Sequence, residues 1–184
     1  MGANCRSLHF HVLKCNYAPY GQLFSYRDVT GEHMAVTVAD HTYTQRQRPA
    51  YNVRVKGIIM HPSYTGDAAA AGFDIALLQL NRAVKPNIPE TLMEVGIQLA
   101  PKALCKIKVP SVDDYDTVCT DEAQGGGCNG DSGGGLHCLT PDGYNWIVYG
   151  IASASAPNCT IGFDVFALTA TKLGWINAVM AAHP

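Results

Sequence analysis

Short apolar segments with a two-residue period are the feature that most constrains the fold of this chain. Hydrophobic side chains alternate with small or polar ones in residues 34–39 and 53–56, and apolar runs follow at residues 75–80 and 146–152. Such alternation is typical of half-buried strands. Because glycine, proline and asparagine separate these segments at close intervals, as they do in sandwiches and barrels, the sequence predicts an all-β fold.

Helical patterns occur at two places. Near the end of the chain, Thr171 is predicted to cap a helix in which Leu173, Ile176 and Met180 share one face. A second helical pattern covers residues 91–103 and is stopped by a proline. The architecture predicted from these patterns is a β-rich domain closed by a C-terminal α-helix.

Composition excludes several classes of partner. The 184 residues include 13 Lys plus Arg and 15 Asp plus Glu, so that the formal net charge is -2. A balance so close to neutral offers no basic surface for nucleic acid or for an anionic membrane. No apolar stretch approaches the roughly 18 residues that a membrane-spanning helix needs. We therefore expect neither nucleic acid nor a membrane as a partner.

Seven cysteines indicate the cellular compartment. So many cysteines in a chain of this length favour an oxidising compartment, and an odd number leaves at least one thiol over. Residues 1–12 have no apolar run of the length that a secretion signal needs, so we expect no signal peptide in this chain.

One glycine-rich segment between two cysteines has the composition of a catalytic turn. Residues 128–138 read CNGDSGGGLHC, with Ser132 between glycines. Such a serine leaves room for a substrate carbonyl, and the nearby backbone N–H groups can converge on an oxyanion. The alternative interpretation is a glycine-rich surface turn held by the two cysteines. Asp74, directly before an apolar run, is either a turn residue or a carboxylate that orients a catalytic imidazole.

The same segment also fits the nucleophile elbow of the α/β-hydrolases, which has the pattern G-x-S-x-G. That elbow requires a helix directly after the serine, and three consecutive glycines begin a helix poorly. The acid of those enzymes also follows the serine, whereas the best candidate here precedes it. We therefore disfavour this interpretation.

Taken together and in this order, the motifs resemble those of the trypsin/chymotrypsin-like serine endopeptidases. The resemblance covers roughly residues 34–180. Its motifs are HPSY at 61–64, DIALL at 74–78, GDSGG at 130–134, VF at 165–166 and WI at 175–176. It implies one protease domain, residues 1–184, with a chymotrypsin-like double six-stranded β-barrel. Residues 1–90 would form a partial N-terminal barrel, and residues 91–184 the C-terminal barrel and helix.

The resemblance also implies roles for individual residues. Ser132 would be the nucleophile and Asp74 the orienting acid. The backbone N–H groups of Gly130 and Ser132 would form the oxyanion hole. Gly135 stands where the family has proline.

The family's disulfides map onto the second half of the chain. The implied disulfides are Cys105–Cys119 and Cys128–Cys159, and Cys5 with Cys15 could replace a further one near the N-terminus. About 35 residues are missing between Asp74 and Ser132 relative to the family's spacing. Since the usual partner of Cys138 would lie in that stretch, Cys138 is predicted to be the odd thiol.

Four residues are implied to form the specificity pocket. Gly126 would lie at its base and Asp164 on its wall, with Ser153 and Ser155 along one edge. A glycine at the base with an aspartate on the wall is similar to the broad-specificity collagenolytic serine proteases of crustaceans. We therefore expect a pocket that accepts both basic and large apolar side chains.

The catalytic histidine has no matching motif. Its nearest remnant, HVLKC at residues 11–15, has Lys14 where the imidazole belongs. His33 has about the right spacing before Asp74 but no motif, and His9, His11 and His41 have no support. Two functions therefore remain open, a serine endopeptidase and a non-catalytic protease homologue that acts as a binding module.

Partners and compartment follow from the resemblance as well. It implies protein or peptide substrates, protein protease inhibitors as further partners, a monomer, and a secreted protein. We expect no cofactor and no metal site. Asn158 begins an N-glycosylation sequon, N-C-T, beside a cysteine that is expected to be in a disulfide.

Overall fold

A computed structural model describes residues 5–8, 35–38, 51–65, 71–83, 94–123, 125–128, 131–156, 159 and 162–183. These residues form strands and three short helical segments. The strands are β1 (Cys5–Leu8), β2 (Ala35–Val38), β3 (Tyr51–Met60), β4 (Ala76–Leu80), β5 (Glu94–Leu99), β6 (Thr117–Asp121), β7 (Gly135–Leu139), β8 (Trp146–Ala154) and β9 (Phe163–Leu168). The helices are α1 (Lys102–Lys108), a 3-10 turn (Ala170–Lys172) and α2 (Leu173–Ala182).

Six of these strands close a barrel. Its order is β1-β5-β6-β9-β8-β7, and its described pairs are antiparallel. Ile97, Leu136, Cys138 and Phe166 pack inside it as a buried cluster. Closing the sheet leaves no free strand edge, and it surrounds this apolar cluster with backbone hydrogen bonds.

The remaining strands form a sheet in the order β2-β3-β4. Val53 of β3 is fully buried, and Ile75 and Ala76 at the start of β4 are nearly so. With this sheet, the barrel and a helix at the end of the chain, the described residues confirm the predicted all-β class with its C-terminal helix.

Strand β1 lies in the barrel although it precedes the three-stranded sheet in sequence. It pairs with β5 on one side and β7 on the other, with Cys5 in register with both Ile97 and Cys138. Cys138 is disulfide-bonded. The prediction that Cys138 is the unpaired thiol is therefore wrong. That prediction counted only the family's usual partner, whereas strand pairing brings a different, N-terminal segment to β7.

The helix predicted over residues 91–103 is also wrong. That segment contains strand β5, and helix α1 begins only after Pro101. Along β5, Ile97 is buried while Gly96 and Gln98 are exposed, which is a two-residue period. Pairing with β1 and β6 stabilises the extended form that this pattern favours.

The C-terminal helix is confirmed, but its predicted cap and face are not. Thr171 lies inside the 3-10 turn, where its hydroxyl donates to the carbonyl of Leu168. Leu173 and Met180 are 53% and 63% exposed, whereas Trp175 is partly buried. Of the predicted face only Ile176 is partly buried, so α2 packs against the protein through Trp175 and Ile176.

A buried lysine joins helix α2 to the β-structure. The ammonium of Lys172 pairs with Asp116 and lies 4.6 Å from the centroid of the Phe73 ring. The imidazole of His61 stacks on Phe73, with ring centroids 5.0 Å apart, and meets the edge of Trp175 at 4.8 Å. These contacts connect the three-stranded sheet, the loop before β6 and the C-terminal helix.

Of the helices in the described ranges, none is both long and apolar enough to cross a membrane.

Candidate active site

Ser132 lies in a tight turn that depends on glycine. The N–H of Gly134 donates to the carbonyl of Asp131 at 2.9 Å, and Gly133 has a φ of 85°. Only glycine adopts this conformation without strain, as in position three of a type II turn. Strand β7 begins directly afterwards, at Gly135. Because a strand follows the serine where the α/β-hydrolase elbow needs a helix, the structure excludes that alternative.

Backbone hydrogen bonds hold this turn against strand β8. The N–H of Gly133 donates to the carbonyl of Ala152 at 2.9 Å, and the N–H of Ala152 donates to the carbonyl of Gly134 at 2.8 Å. On the other side of Ser132, the carboxylate of Asp131 accepts the N–H of Cys128 at 2.9 Å. Both flanks of the serine are thereby fixed.

Two disulfides brace the barrel. Cys128 is bonded to Cys159 beside the Ser132 turn, and Cys105 is bonded to Cys119 beneath helix α1. These are the pairings that the resemblance implies. Disulfides of this kind stabilise a fold by roughly 2–4 kcal/mol, mainly by restricting the unfolded chain.

Asp74 lies directly before β4 and is 1% exposed. Its Oδ2 accepts a hydrogen bond from the hydroxyl of Ser153 at 2.9 Å. Ser153 belongs to β8, whose neighbours Ala152 and Ala154 line a cleft together with Ser132. The register of β8 against β9 shifts between Ala152 and Ala154, so Ser153 bonds to the carboxylate at an irregularity of the strand whose neighbouring residues line the cleft.

The cleft beside Ser132 encloses about 290 Å³ of space between atoms, open solvent included. It is lined by Gly127, Cys128, Asp131, Ser132, Ala152, Ala154, Ser155, Asp164 and Phe166. Two of the four residues expected to form a specificity pocket, Asp164 and Ser155, are thus brought together with the serine. Ser153 instead bonds to Asp74, and Gly126 lies behind the cleft wall.

Asp164 is 2% exposed, and its Oδ2 accepts the N–H of Gly127 at 2.6 Å. The pKa of this carboxyl is raised to about 7, first by burial and then by the neighbouring acid Glu122, while the hydrogen bond from the N–H of Gly127 opposes the shift. A Cβ added at Gly126 would come within 2.8 Å of Asp164 Oδ2. The absence of a side chain at residue 126 therefore makes room for the carboxyl on β9.

Glu122 belongs to the site without any motif in the sequence that marks it. This residue directly follows β6, is 1% exposed, and accepts the N–H of Ala156 at Oε1 over 3.2 Å. An acid after a strand is usually a solvated turn residue, so its sequence context gave no signal of burial. Only the pairing of β6 with β9 brings it near Asp164.

The three histidines in the described ranges make contacts elsewhere. His61 Nδ1 accepts the N–H of Ser63 at 3.2 Å, and His137 Nδ1 donates to the carbonyl of Gly135 at 3.1 Å. His183 follows the end of α2. Within this part of the chain, no histidine hydrogen-bonds to Asp74 or Ser132. The residues outside the described ranges include Gly130, Lys14, Cys15, Asn158 and the histidines 9, 11, 33 and 41.

In the ranges that the structure covers, His, Cys, Asp and Glu side chains form no group of three that could hold a metal ion.

The arrangement has the elements of a chymotrypsin-like fold, in which a disulfide-bound serine turn and a buried aspartate meet at one strand. The trypsin family model matches residues 84–176. Chymotrypsin-like elastase family member 1 of Homo sapiens is 30% identical over 190 residues, covering 80% of this chain and 72% of that protein. Proproteinase E of Bos taurus is 27% identical over 202 residues, covering 86% of this chain and 76% of that protein. The chain belongs to the trypsin/chymotrypsin-like family of serine proteases.

Proposed function

We propose that this protein is a serine endopeptidase that hydrolyses peptide bonds through an acyl-enzyme on Ser132. In this proposal, Asp74 orients an imidazole base, and the N–H groups of Gly130 and Ser132 stabilise the oxyanion of the tetrahedral intermediate. Family membership supports the general class of activity. The assignment of these residues is the part that experiment has to test.

The hydrogen bond from Ser153 to Asp74 is the observation that best supports the proposal. A buried carboxylate is unfavourable unless hydrogen-bond donors surround it. Here the donor comes from β8, the same strand that holds the serine turn through Ala152. The geometry would serve to keep an acid close to the nucleophile and shielded from water.

The imidazole base would come from His9, His11, His33 or His41, because the rings of His61 and His137 bond elsewhere and His183 follows the end of α2. In the reaction, that base would take the proton of the Ser132 hydroxyl as the serine attacks the carbonyl carbon. It would then return the proton to the leaving amine. Four single alanine variants would identify it.

We propose broad selectivity for the residue before the scissile bond. The wall carboxyl of Asp164 suits a cationic side chain, whereas Phe166, Ala152 and Ala154 offer an apolar surface along the same cleft. Cleavage of a peptide library after both arginine and leucine would support this selectivity. Strict cleavage after one class would contradict it.

The remaining parts of the proposal concern setting and organisation. The disulfides fit an oxidising compartment, and we propose that the protein is secreted, monomeric and active on protein substrates. The division at residue 90 into a partial N-terminal barrel and a C-terminal barrel also stays a proposal.

Labelling with a fluorophosphonate probe tests the function directly. We expect labelling of the folded protein at Ser132, complete loss in Ser132→Ala, and a strong decrease in Asp74→Asn. In proteases with an intact triad, loss of the acid lowers kcat by about four orders of magnitude. Ser63→Ala, a change at an exposed turn, is the matched control. A folded protein that is not labelled would instead favour the non-catalytic binding module.

A further inference from the structure

Two buried carboxyls meet at the wall of the cleft. Glu122 reaches the site from the end of β6 and Asp164 from β9. A Cβ added at Gly126 would lie 2.6 Å from Glu122 Cγ and 2.8 Å from Asp164 Oδ2. Both acidic side chains therefore pack against the same glycine, and both are at least 98% buried.

Each carboxyl has one oxygen with a backbone donor and one without. Asp164 Oδ2 accepts the N–H of Gly127, and Glu122 Oε1 accepts the N–H of Ala156. In the described part of the chain, no donor reaches Asp164 Oδ1 or Glu122 Oε2, although both atoms are buried. Buried acceptors without donors are unfavourable. A proton held by the pair, or a cation, would relieve that cost.

We propose that Glu122 and Asp164 act as a proton-holding carboxyl pair, which makes the cleft select cationic side chains at high pH and neutral ones at low pH. Asp164 lines the cleft and would contact the side chain of the substrate. Glu122 lies behind it and acts through Asp164, so it is a positioning residue. The link to substrate choice rests on the function proposed above.

The electrostatic surroundings determine the direction of the effect. The ionisable groups that act on Asp164 are Glu122 and Asp131, both acidic, while the N–H of Gly127 favours the charged form. Burial and the two acids raise the pKa of Asp164 to about 7. Below that pH the wall is neutral, and above it a negative charge faces the cleft.

Binding of benzamidine, an aromatic amidinium, to the full chain tests the proposal without requiring catalysis. Linkage predicts that its Kd rises about tenfold per pH unit below the transition and is constant above it. Benzamide, the neutral analogue, should bind with no such pH dependence. Calorimetric titrations from pH 5 to pH 9 measure both. A pH-independent Kd for benzamidine, or no binding at any pH, would overturn the proposal.

Two variants test whether the pH transition in benzamidine binding belongs to Glu122 and Asp164. In Glu122→Gln, loss of the neighbouring charge should move the transition down by one pH unit or more. Asp164→Asn should weaken benzamidine binding at least tenfold at pH 8 and remove its pH dependence, with benzamide unaffected. Asp121→Asn, an exposed acid next to Glu122, is the matched control and should change nothing.

The outcomes are separable from those for the proposed function. An unshifted transition in a folded Glu122→Gln protein would refute the role of Glu122, even if Ser132 reacts with fluorophosphonate. Conversely, pH-dependent benzamidine binding without labelling of Ser132 would leave the carboxyl pair in place on a protein that is not an enzyme. The wild-type titration keeps the test decisive if either variant fails to fold.

Discussion

The hydroxyl of Ser153 donates to the carboxylate of Asp74 across 79 positions of sequence. Both side chains are almost completely buried, so neither group has water as a substitute partner. This hydrogen bond connects the segment before β4 to strand β8, which forms part of the cleft wall. It makes the position of the acid depend on strand β8 and not only on its own loop.

Replacing Ser153 with alanine should therefore destabilise the protein and impair any activity. A buried carboxylate that loses a donor costs roughly 1–3 kcal/mol. We expect a decrease of this size in the free energy of unfolding, measured with urea, together with a lower kcat on a peptide substrate. Ser63→Ala serves as the control for loss of an exposed hydroxyl. A Ser153→Ala protein with unchanged stability would show that the bond contributes nothing.

The imidazole of His61 should titrate below its usual pKa of 6.5. Burial lowers this pKa first, the charge of Lys172 lowers it further, and Asp116 opposes the shift. NMR should therefore show a midpoint that rises in Lys172→Met and falls in Asp116→Asn. Because the unfolded chain binds the proton more readily, the stability contributed by neutral His61 is present above pH 6.5 and is lost as the pH falls from 6.5 through the lower pKa of the folded protein. A midpoint at or above 6.5 in the wild type would contradict this.

Loss of the buried ammonium should also be costly. Lys172 is 1% exposed and pairs with Asp116, so Lys172→Met leaves a carboxylate beside an apolar side chain. Removing one partner of a fully buried pair typically costs about 3–5 kcal/mol, and because Asp116 keeps 16% of its side chain exposed we expect a loss below that range. Chemical unfolding should show this loss, and the double variant with Asp116→Asn should recover part of it. A loss below about 1 kcal/mol would show that Asp116 is stabilised by solvent.

The pH dependence of stability should report on Asp164. Its pKa is raised from 3.8 to about 7 in the folded protein, so the folded state holds an extra proton between these values. This contribution is fully present below pH 3.8 and is lost as the pH rises through 7. Asp164→Asn should remove that decrease. Compared with the wild type at the same pH, the variant should therefore be more stable at pH 8 than it is at pH 5. Unfolding curves at both pH values, with Asp121→Asn as control, measure the difference.

The disulfide partner of Cys138 should be Cys5. The backbone register of β1 and β7 places these two residues opposite each other, and Cys138 is disulfide-bonded. Peptide mapping without reduction should recover a Cys5–Cys138 peptide pair. Cys138→Ser and Cys5→Ser should each cost about 2–5 kcal/mol. Cys15→Ser should leave the mapped pair intact, whereas a Cys15–Cys138 peptide would contradict the assignment.

Local patterns predicted much of the fold. The alternation in residues 53–56 and the apolar run at 75–80 became strands β3 and β4, and the segment after Thr171 became helix α2. These features depend on neighbours within a few residues, which the sequence displays directly. The prediction of a helix over residues 91–103 was wrong because pairing with β1 and β6 stabilises strand β5 in that segment.

Features that depend on long-range strand pairing could not be predicted from local sequence patterns. Glu122 is buried only because β6 and β9 pair, and nothing in its local sequence distinguishes it from an exposed turn residue. Cys138 likewise lies opposite Cys5 in backbone register only because β1 enters the barrel. Asp74 and Ser132 were selected by resemblance, while the hydrogen bond that connects Asp74 to the cleft emerged only from the packing of β8.

The place of β1 in the barrel has a consequence for folding on the ribosome. This strand is synthesised before both of its neighbours, β5 and β7, and the whole three-stranded sheet is made in between. Since translation proceeds at about 5–20 residues per second, β7 is synthesised several seconds after the N-terminal segment. Barrel closure is then a non-local and slow step. A nascent chain stalled before β7 would expose open sheet edges on β1 and β6, whose partners β7 and β9 are not yet made, and chaperones or other chains could bind there.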